Sequence, residues 1–321
     1  MMITHAAALT IALCLDRLIG DPPAWPHPVR WIGSFIIWLE RRLNKGESRK
    51  LKGMIGVFTV VGITTLITVL VVYGSYQIHW IAGFVLETIL ITSALASKSL
   101  ADAAKEVSIP LQKGEMEEAR TKLSWIVGRD TENLNESAIA RGTIETVAEN
   151  TSDGVTAPMF WGLLFGAPGI WGYKAINTGD SLVGYKNERY HEYGWASAKL
   201  DDVANWIPAR ITALLMLLTI KPAQGKRSAL LKGLPAQAKK HPSPNSGWGE
   251  AAVALLLHIK LGGTNTYQGV VSNRPVIGLS DDPLTVHHID QTITIMHRTA
   301  WLFIACCWIG GMLYDFTFTW R

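Results

Sequence analysis

The sequence predicts an all-α, multi-pass membrane protein with broken or re-entrant helices and helical cytoplasmic segments, on three observations. Charged residues make up 17% of the 321 residues, against roughly 25% in an ordinary soluble domain. Several apolar runs approach the length of about 20 residues that crossing the hydrocarbon demands. Tryptophan occurs 13 times, and its rings collect at membrane interfaces. No strand ladder or internal repeat is visible, so a single membrane-embedded domain over 1–321 is expected. A net charge of +4 argues against nucleic acid as a partner. An apolar content of 48% excludes disorder. Cys14, Cys306 and Cys307 lie in apolar runs without a C-x-x-C pair, so neither a disulfide framework nor a zinc site is expected.

Taken in order, residues 3–19 form a span of marginal length, with no basic stretch before it and Asp16 and Arg17 where a cleavage site would stand. Punctuation at 20–28 marks a loop. Residues 53–73 give 21 positions without a charge, and 80–97 contain only Glu87. Gly74 to His79 joins them as a helical hairpin. Six basic residues, Arg41, Arg42, Lys45, Arg49, Lys50 and Lys52, precede that hairpin and place its ends on the cytoplasmic side of the cell membrane. Apolar residues at three and four spacing predict helices over 98–123 and over 136–149, the latter starting near a Ser137 cap. Loops are expected at 127–135, 241–249 and 262–278.

Residues 155–173 are uncharged but carry Pro158, Pro168 and four glycines, and 203–220 carry Pro208 and Arg210. As ordinary spans they would leave 174–202 outside. Broken helices at membrane depth are tolerated where protein or a water-filled cavity surrounds them, so both are expected to be re-entrant or cavity-lining. Lys221, Lys226, Arg227, Lys232, Lys239 and Lys240 hold the following segment inside. The last span, 299–320, is interrupted only by Asp315.

Familiar catalytic motifs are absent: there is no P-loop, no H-E-x-x-H and no nucleophile elbow, and Gly247 and Gly249 follow no strand. Carboxylates, amides and glycines cluster instead. In RGTIETVAENTSDG, Arg141, Glu145 and Glu149 recur every fourth residue and share one helix face, with Asn150 and Asp153 following. Carboxylates so close repel unless a cation or a raised pKa relieves them. The ordinary reading is a solvated face with Arg141 paired to Glu145. A second cluster, NTGDSLVGYKNERY, holds Asn177, Asp180, Ser181, Lys186 and Tyr190, and a third, SAKLDDVANWIPAR, holds Asp201, Asp202, Asn205 and Arg210. Adjacent Asp201 and Asp202 do not share a helical face, so only one points with Asn205. Lys122, Arg129 and Asp130, and His27 with Arg30, form smaller groups, in which turn capping is the plain reading for Asp21 and Asp130 and a surface position for Lys122. His241, Asn245 and Glu250 form a last polar island, whose His is more often structural than catalytic; His287 and His288 carry little signal.

The runs GDPPAWPHPVRWIG, KLSWIVGRDT, ETVAENTSDGVTAP, KAINTGDSLVGYKNERY, SAKLDDVANWIPAR, HPSPNSGWGEAA and KLGGTNTYQG, in this order over about 14–278, resemble the CobD/CbiB family of integral-membrane cobinamide-phosphate synthases. One departure is Gly179, where the family's N-T-L-D-S run has Leu. The resemblance implies a carbon–nitrogen ligase that joins aminopropanol, or its O-phosphate, to the free propionate carboxylate of adenosylcobyric acid, using ATP and Mg²⁺. An acyl phosphate would supply the leaving group that a carboxylate lacks. Glu145, Glu149 and Asp180 are then the catalytic candidates, with Glu149 as general base. Glu145, Glu149, Asp153, Asp180, Asp201 and Asp202 are candidate metal ligands. Arg129, Asn150, Lys174, Asn177, Lys186 and Arg210 are candidates to hold the nucleotide and its phosphates. Trp25, His27, Arg30 and Asn245, with Trp31, are candidates for the corrinoid. Partners would be the two substrates, the lipid bilayer and other corrinoid-pathway enzymes or a second copy of the chain, with the active site on the cytoplasmic side.

Two other classes compete. A transporter for a corrinoid or small amine would also use broken helices and buried charge, but no repeated halves are visible. A Mg²⁺-dependent prenyltransferase-like enzyme would want D-x-x-x-D, where this chain offers N-x-x-D and D-D-x-x-N.

Overall fold

Uncharged length decides where the longest helices stand. The computed structural model describes residues 2–21 and 27–319. In chain order these form α1 (Met2–Ile19), α2 (Pro28–Leu43), α3 (Arg49–Ile78), α4 (Trp80–Thr92), α5 (Ser97–Gln112), α6 (Met116–Ser124) and α7 (Glu136–Asn150). A π-helical turn (Thr151–Thr156) leads into α8 (Ala157–Val183), α9 (Trp195–Ala204), α10 (Trp206–Thr219), α11 (Arg227–Ala238) and α12 (Ser246–Leu257). An antiparallel pair, β1 (Lys260–Tyr267) and β2 (Val270–Gly278), precedes α13 (Val286–Thr319). Four stretches, Met2–Ile19, Arg49–Ile78, Trp80–Gln112 and Val286–Thr317, are long and apolar enough to cross a membrane.

Several expectations change in detail. The hairpin link shrinks to His79, whose extended backbone (φ −166°) and ring cap α4. The helix expected over 98–123 is two, because Gly114 adopts φ +77° in the turn between α5 and α6. Asn135 caps α7 by accepting from the Ala138 N–H, while Ser137 Oγ accepts from the Leu284 N–H at 2.9 Å. The loop expected at 262–278 is the β1–β2 hairpin, and the last helix begins at Val286 instead of 299.

The chain divides into two compact units. The first comprises the chain up to Ala96, Ala157–Asn205 and the chain from Ile304. In it α3 packs along α2, α4, α8 and α9, and its outer face leaves Ile55, Phe58, Leu66, Leu70 and Tyr73 more than half exposed, as a lipid-facing surface requires. Gly53 is obligatory there, since a Cβ would stand 1.9 Å from the Tyr193 carbonyl oxygen. The polar segment before α9 is tied down by Arg189, which donates to both oxygens of the buried Glu40 at 3.0 and 2.9 Å.

α8 is not one rod. Gly166 takes φ 63°, ψ −153°, a conformation essentially reserved for glycine. There the chain reverses: a Cβ on Gly169 would lie 2.4 Å from the Trp161 carbonyl oxygen, and Ala157 packs with Tyr173. The expectation of a broken helix over 155–173 is met by this helical hairpin, whose arms run antiparallel.

The second unit comprises Ser97–Thr156 and Trp206–Phe303. Its core is α12, whose residues from Ala251 to Leu257 are all buried, as a helix apolar on every side must be. Gly249 brings α12 against α7, where a Cβ would stand 2.4 Å from the Ala148 oxygen. The β1–β2 turn, Gln268 and Gly269, has positive φ at both positions, and both turn N–H groups donate to the Asp130 carboxylate at 2.9 Å. Asp130 is therefore a turn cap.

Candidate functional site

Within the second unit, the four-residue spacing on α7 sets Glu145 and Glu149 along one wall of a polar cavity of about 160 Å³. Arg129, Asn150, Glu250, Tyr267 and Arg274 also line it. Arg129, from the loop after α6, is only 4% exposed in its side chain, and its Nη1 donates to Glu145 Oε2 at 2.9 Å and Asn265 Oδ1 at 2.5 Å. Glu145 Oε1 accepts from the Gly262 N–H at 2.8 Å, so both its oxygens are engaged. Arg141 stands 3.9 Å from Glu145 and donates to the Gly262 and Thr264 carbonyls and to Asn265. The closer partner of Glu145 is thus Arg129, beyond the expected pairing with Arg141. A Cβ on Gly142 would lie 2.2 Å from Arg129 Nη2, so glycine makes room for the guanidinium. Among the described residues, Arg129 Nε and Nη2 are buried with no hydrogen-bond acceptor.

Proton positions follow from the surroundings. Burial, and then the charges of Glu145 and Glu149, push the Glu250 carboxyl well above the usual carboxylate range. His241 Nδ1 accepts from the Ser243 N–H at 3.0 Å, which leaves the neutral ring's proton on Nε2, 3.6 Å from Glu250 Oε1. Burial lowers the pKa of that imidazole. Glu149 Oε1 accepts from the Ser246 hydroxyl at 2.7 Å, and Asn150 donates to the Thr146 carbonyl at 2.9 Å. Arg210 lies over the Trp206 and Trp248 rings at 4.2 and 4.8 Å and reaches Asn245 Oδ1 at 3.4 Å.

In the first unit, α8 and α9 bring together Asn177, Asp180, Asp201 and Asn205. Asn177 Nδ2 donates to Asp201 Oδ1 at 3.3 Å, and Tyr173 donates to Asn205 Oδ1 at 2.9 Å. Burial first, and the Asp180 charge second, push Asp201 up to about 7. Asp202 turns the other way and accepts from Lys199 at 3.0 Å, as adjacent helical positions require. Among the described residues no three His, Cys, Asp or Glu side chains form a metal-holding group. Two carboxylates with amide oxygens are still a donor set suited to Mg²⁺, which usually binds one or two carboxylates plus substrate phosphates.

Other predicted positions are placed as follows by the fold. His27 accepts from the Val29 N–H as the α2 cap and lies 3.6 Å from Asp21. Arg30 is exposed on α2, Trp31 is 63% exposed, and Trp25 lies outside the described residues. Lys174 is half-buried on α8, Lys186 is exposed after it, and Asp153 sits half-buried in the π turn. Lys122 is a surface lysine, 3.2 Å from Glu106 and over the Trp125 ring. Sequence reasoning missed Asn265, Tyr267 and Arg274. The paired glycines of KLGGTNTYQG were the available signal, since Gly262 and Gly263 both take positive φ at the bulge that aims the hairpin backbone at Arg141.

Comparison with known proteins gives one consistent answer. The family described as CobD/CbiB protein matches residues 9–296. The chain is similar to the cobalamin biosynthesis protein CobD of Halalkalibacterium halodurans, 52% identical over 99% of this chain and 100% of the relative. The CobD protein of Klebsiella pneumoniae is 43% identical over 90% of this chain and 92% of its own length. The CbiB protein of Salmonella typhimurium is 42% identical over 95% and 98%. No solved structure matches. On the family match and these near-complete relatives, the chain belongs to the CobD/CbiB family.

Proposed function

We propose that this protein serves cobalamin biosynthesis as a carbon–nitrogen ligase, joining aminopropanol O-phosphate to the free propionate carboxylate of adenosylcobyric acid, with ATP and Mg²⁺. The names of its relatives support the pathway. The observation that carries the chemistry is the polar cavity that Arg129, Glu145, Glu149 and Glu250 line together.

Amide formation removes one oxygen from the carboxylate and two protons from the attacking ammonium, one before the attack and one after it. Mg-ATP, when bound, supplies the activation of that carboxylate. Arg129, held by Glu145 and Asn265, sets a fixed positive charge in the cavity wall that suits an anionic oxygen group. Glu145, with both oxygens occupied, positions Arg129 and is not the base. Glu149, half-buried and accepting from Ser246, is suited to take the ammonium proton. Glu250, whose carboxyl burial shifts towards the protonated form, lessens the negative charge that would otherwise oppose an anionic substrate. In the first unit Asp180, Asp201 and Asn177 are the residues we assign to Mg²⁺.

The reading is tested by incubating the purified protein with adenosylcobyric acid, aminopropanol phosphate and Mg-ATP and following the amide product by mass. Absence of product with active corrinoid and amine present would overturn it, and Glu149→Gln should abolish turnover while leaving membrane insertion intact.

A further inference from the structure

We infer that the large apolar cavity of the first unit holds an aminophospholipid, its primary ammonium seated between His5 and Glu87. This goes beyond the amide-forming reading and does not depend on it.

The cavity measures about 790 Å³ and is walled by Val61, Val69, Val72, Leu164, Phe165 and Pro168, all apolar. Val69 and Phe165 are 42% and 59% exposed, so the cavity opens sideways along α3, a helix of membrane-crossing length. Apart from Thr4, Thr65 and Tyr173, its polar side chains are His5, Tyr76 and Glu87. Glu87 Oε1 accepts from the Ala167 N–H at 3.1 Å and Oε2 from the Tyr76 hydroxyl at 2.8 Å. Those contacts hold the carboxylate against the Gly166 turn, where a Cβ would stand 2.1 Å from Oε1.

His5 supplies the second half of the argument. Its Nδ1 lies 3.0 Å from the Leu163 carbonyl, which only accepts, so Nδ1 carries the hydrogen. In the neutral ring Nε2 is then a lone pair, and it faces Glu87 Oε1 at 3.9 Å. Two acceptors confront one another in an apolar wall. A donor between them removes the conflict, and a nitrogen at about 2.8 Å from each spans that separation. A primary ammonium has three N–H donors and no lone pair, and it offsets the carboxylate charge that low-dielectric surroundings penalise. Glu87 lies seven residues beyond Trp80, about 10 Å below the hairpin end at helical rise. At that depth the amine lies within the roughly 30 Å hydrocarbon layer, beside apolar walls along which the acyl chain of the same molecule can run. Of the amphiphiles that combine those parts, a bilayer supplies the aminophospholipid in abundance.

The full-length protein, delipidated in detergent, is incubated in turn with phosphatidylethanolamine, phosphatidylcholine and phosphatidylglycerol, and retained lipid is counted by native mass spectrometry. Phosphatidylethanolamine should be retained at about one per chain and at least about tenfold better than phosphatidylcholine, whose methylated nitrogen donates no hydrogen bond. Glu87→Gln should erase that preference, and Val69→Trp should reduce retention of every lipid by filling the groove. Equal retention of all three headgroups by the wild type, or no retained lipid, would overturn the proposal and leave a proton or water between His5 and Glu87. The wild-type headgroup comparison decides the matter even where Glu87→Gln fails to fold.

Discussion

At the residue scale, Arg129 and Glu145 form a pair whose removal is asymmetric. Glu145→Ala leaves a buried guanidinium uncompensated and should cost about 3–5 kcal/mol, read as a lowered unfolding midpoint in detergent. Arg129→Lys keeps the charge but loses the planar guanidinium that serves Glu145 and Asn265 together. Amide formation should fall about 10- to 100-fold with a smaller change in stability, read by comparing product yield with the unfolding midpoint. Glu250 predicts a pH dependence of definite sign. Unfolded, it ionises near about 4.3; folded, it keeps its proton to higher pH. Its stabilising contribution is therefore complete below that unfolded value and is lost as pH rises towards the folded one, by up to about 1.4 kcal/mol per unit. Glu250→Gln should flatten this slope in a series of unfolding curves. Gly179, where the family resemblance calls for Leu, is buried on α8, and an added Cβ would meet Ser197 Oγ at an ordinary 3.5 Å. The departure is a packing matter and leaves Asn177 and Asp180 in place.

At the element scale, the α8 hairpin depends on one backbone angle. Gly166→Ala should cost about 1–3 kcal/mol for the strained conformation alone, before its clash with Glu87. Gly62→Ala, with nothing within 4 Å of the new Cβ, serves as the neutral comparison in the same thermal melt. Apolar length made the four long helices legible, because nothing else satisfies their backbone polar groups in lipid. The reversal inside α8 was legible only as an excess of proline and glycine, since composition says that a helix breaks but not where its arms then pack. The β1–β2 hairpin was hidden because Gly262, Gly263 and Pro275 punctuate it like a loop, and its pairing is secured from afar by Asp130. The site shows the same division. Helical spacing put Glu145 and Glu149 on one face, whereas the partners that give Glu145 its role, Arg129 and Gly262, are 16 and 117 residues away.

For the whole molecule, the side of the membrane on which the polar segment between α8 and α9 lies follows from its anchors. Arg189 is fixed to Glu40, Tyr193 covers Gly53, and Lys50 lies 3.8 Å over the Trp195 ring. All three anchors belong to or flank the basic stretch that the positive-inside rule predicts to be cytoplasmic. A cysteine placed at the exposed Lys186, with the three native cysteines replaced, should react only with reagent admitted to the cytoplasmic face of intact cells. Labelling from outside would contradict the re-entrant reading of α8.

Neither unit is continuous in sequence, and the first closes on itself through a bond between distant helices: the Trp308 indole N–H donates to Thr10 Oγ1 at 3.0 Å. This has a consequence in time. α1 leaves the ribosome long before α13 exists, so it must wait in the bilayer, one flank bare, while nearly all of the second unit is made. Contacts between such remote segments form late and slowly. A ribosome stalled before α13 would therefore display an inserted but unfinished first unit, and this nascent state is the one most exposed to quality-control proteases.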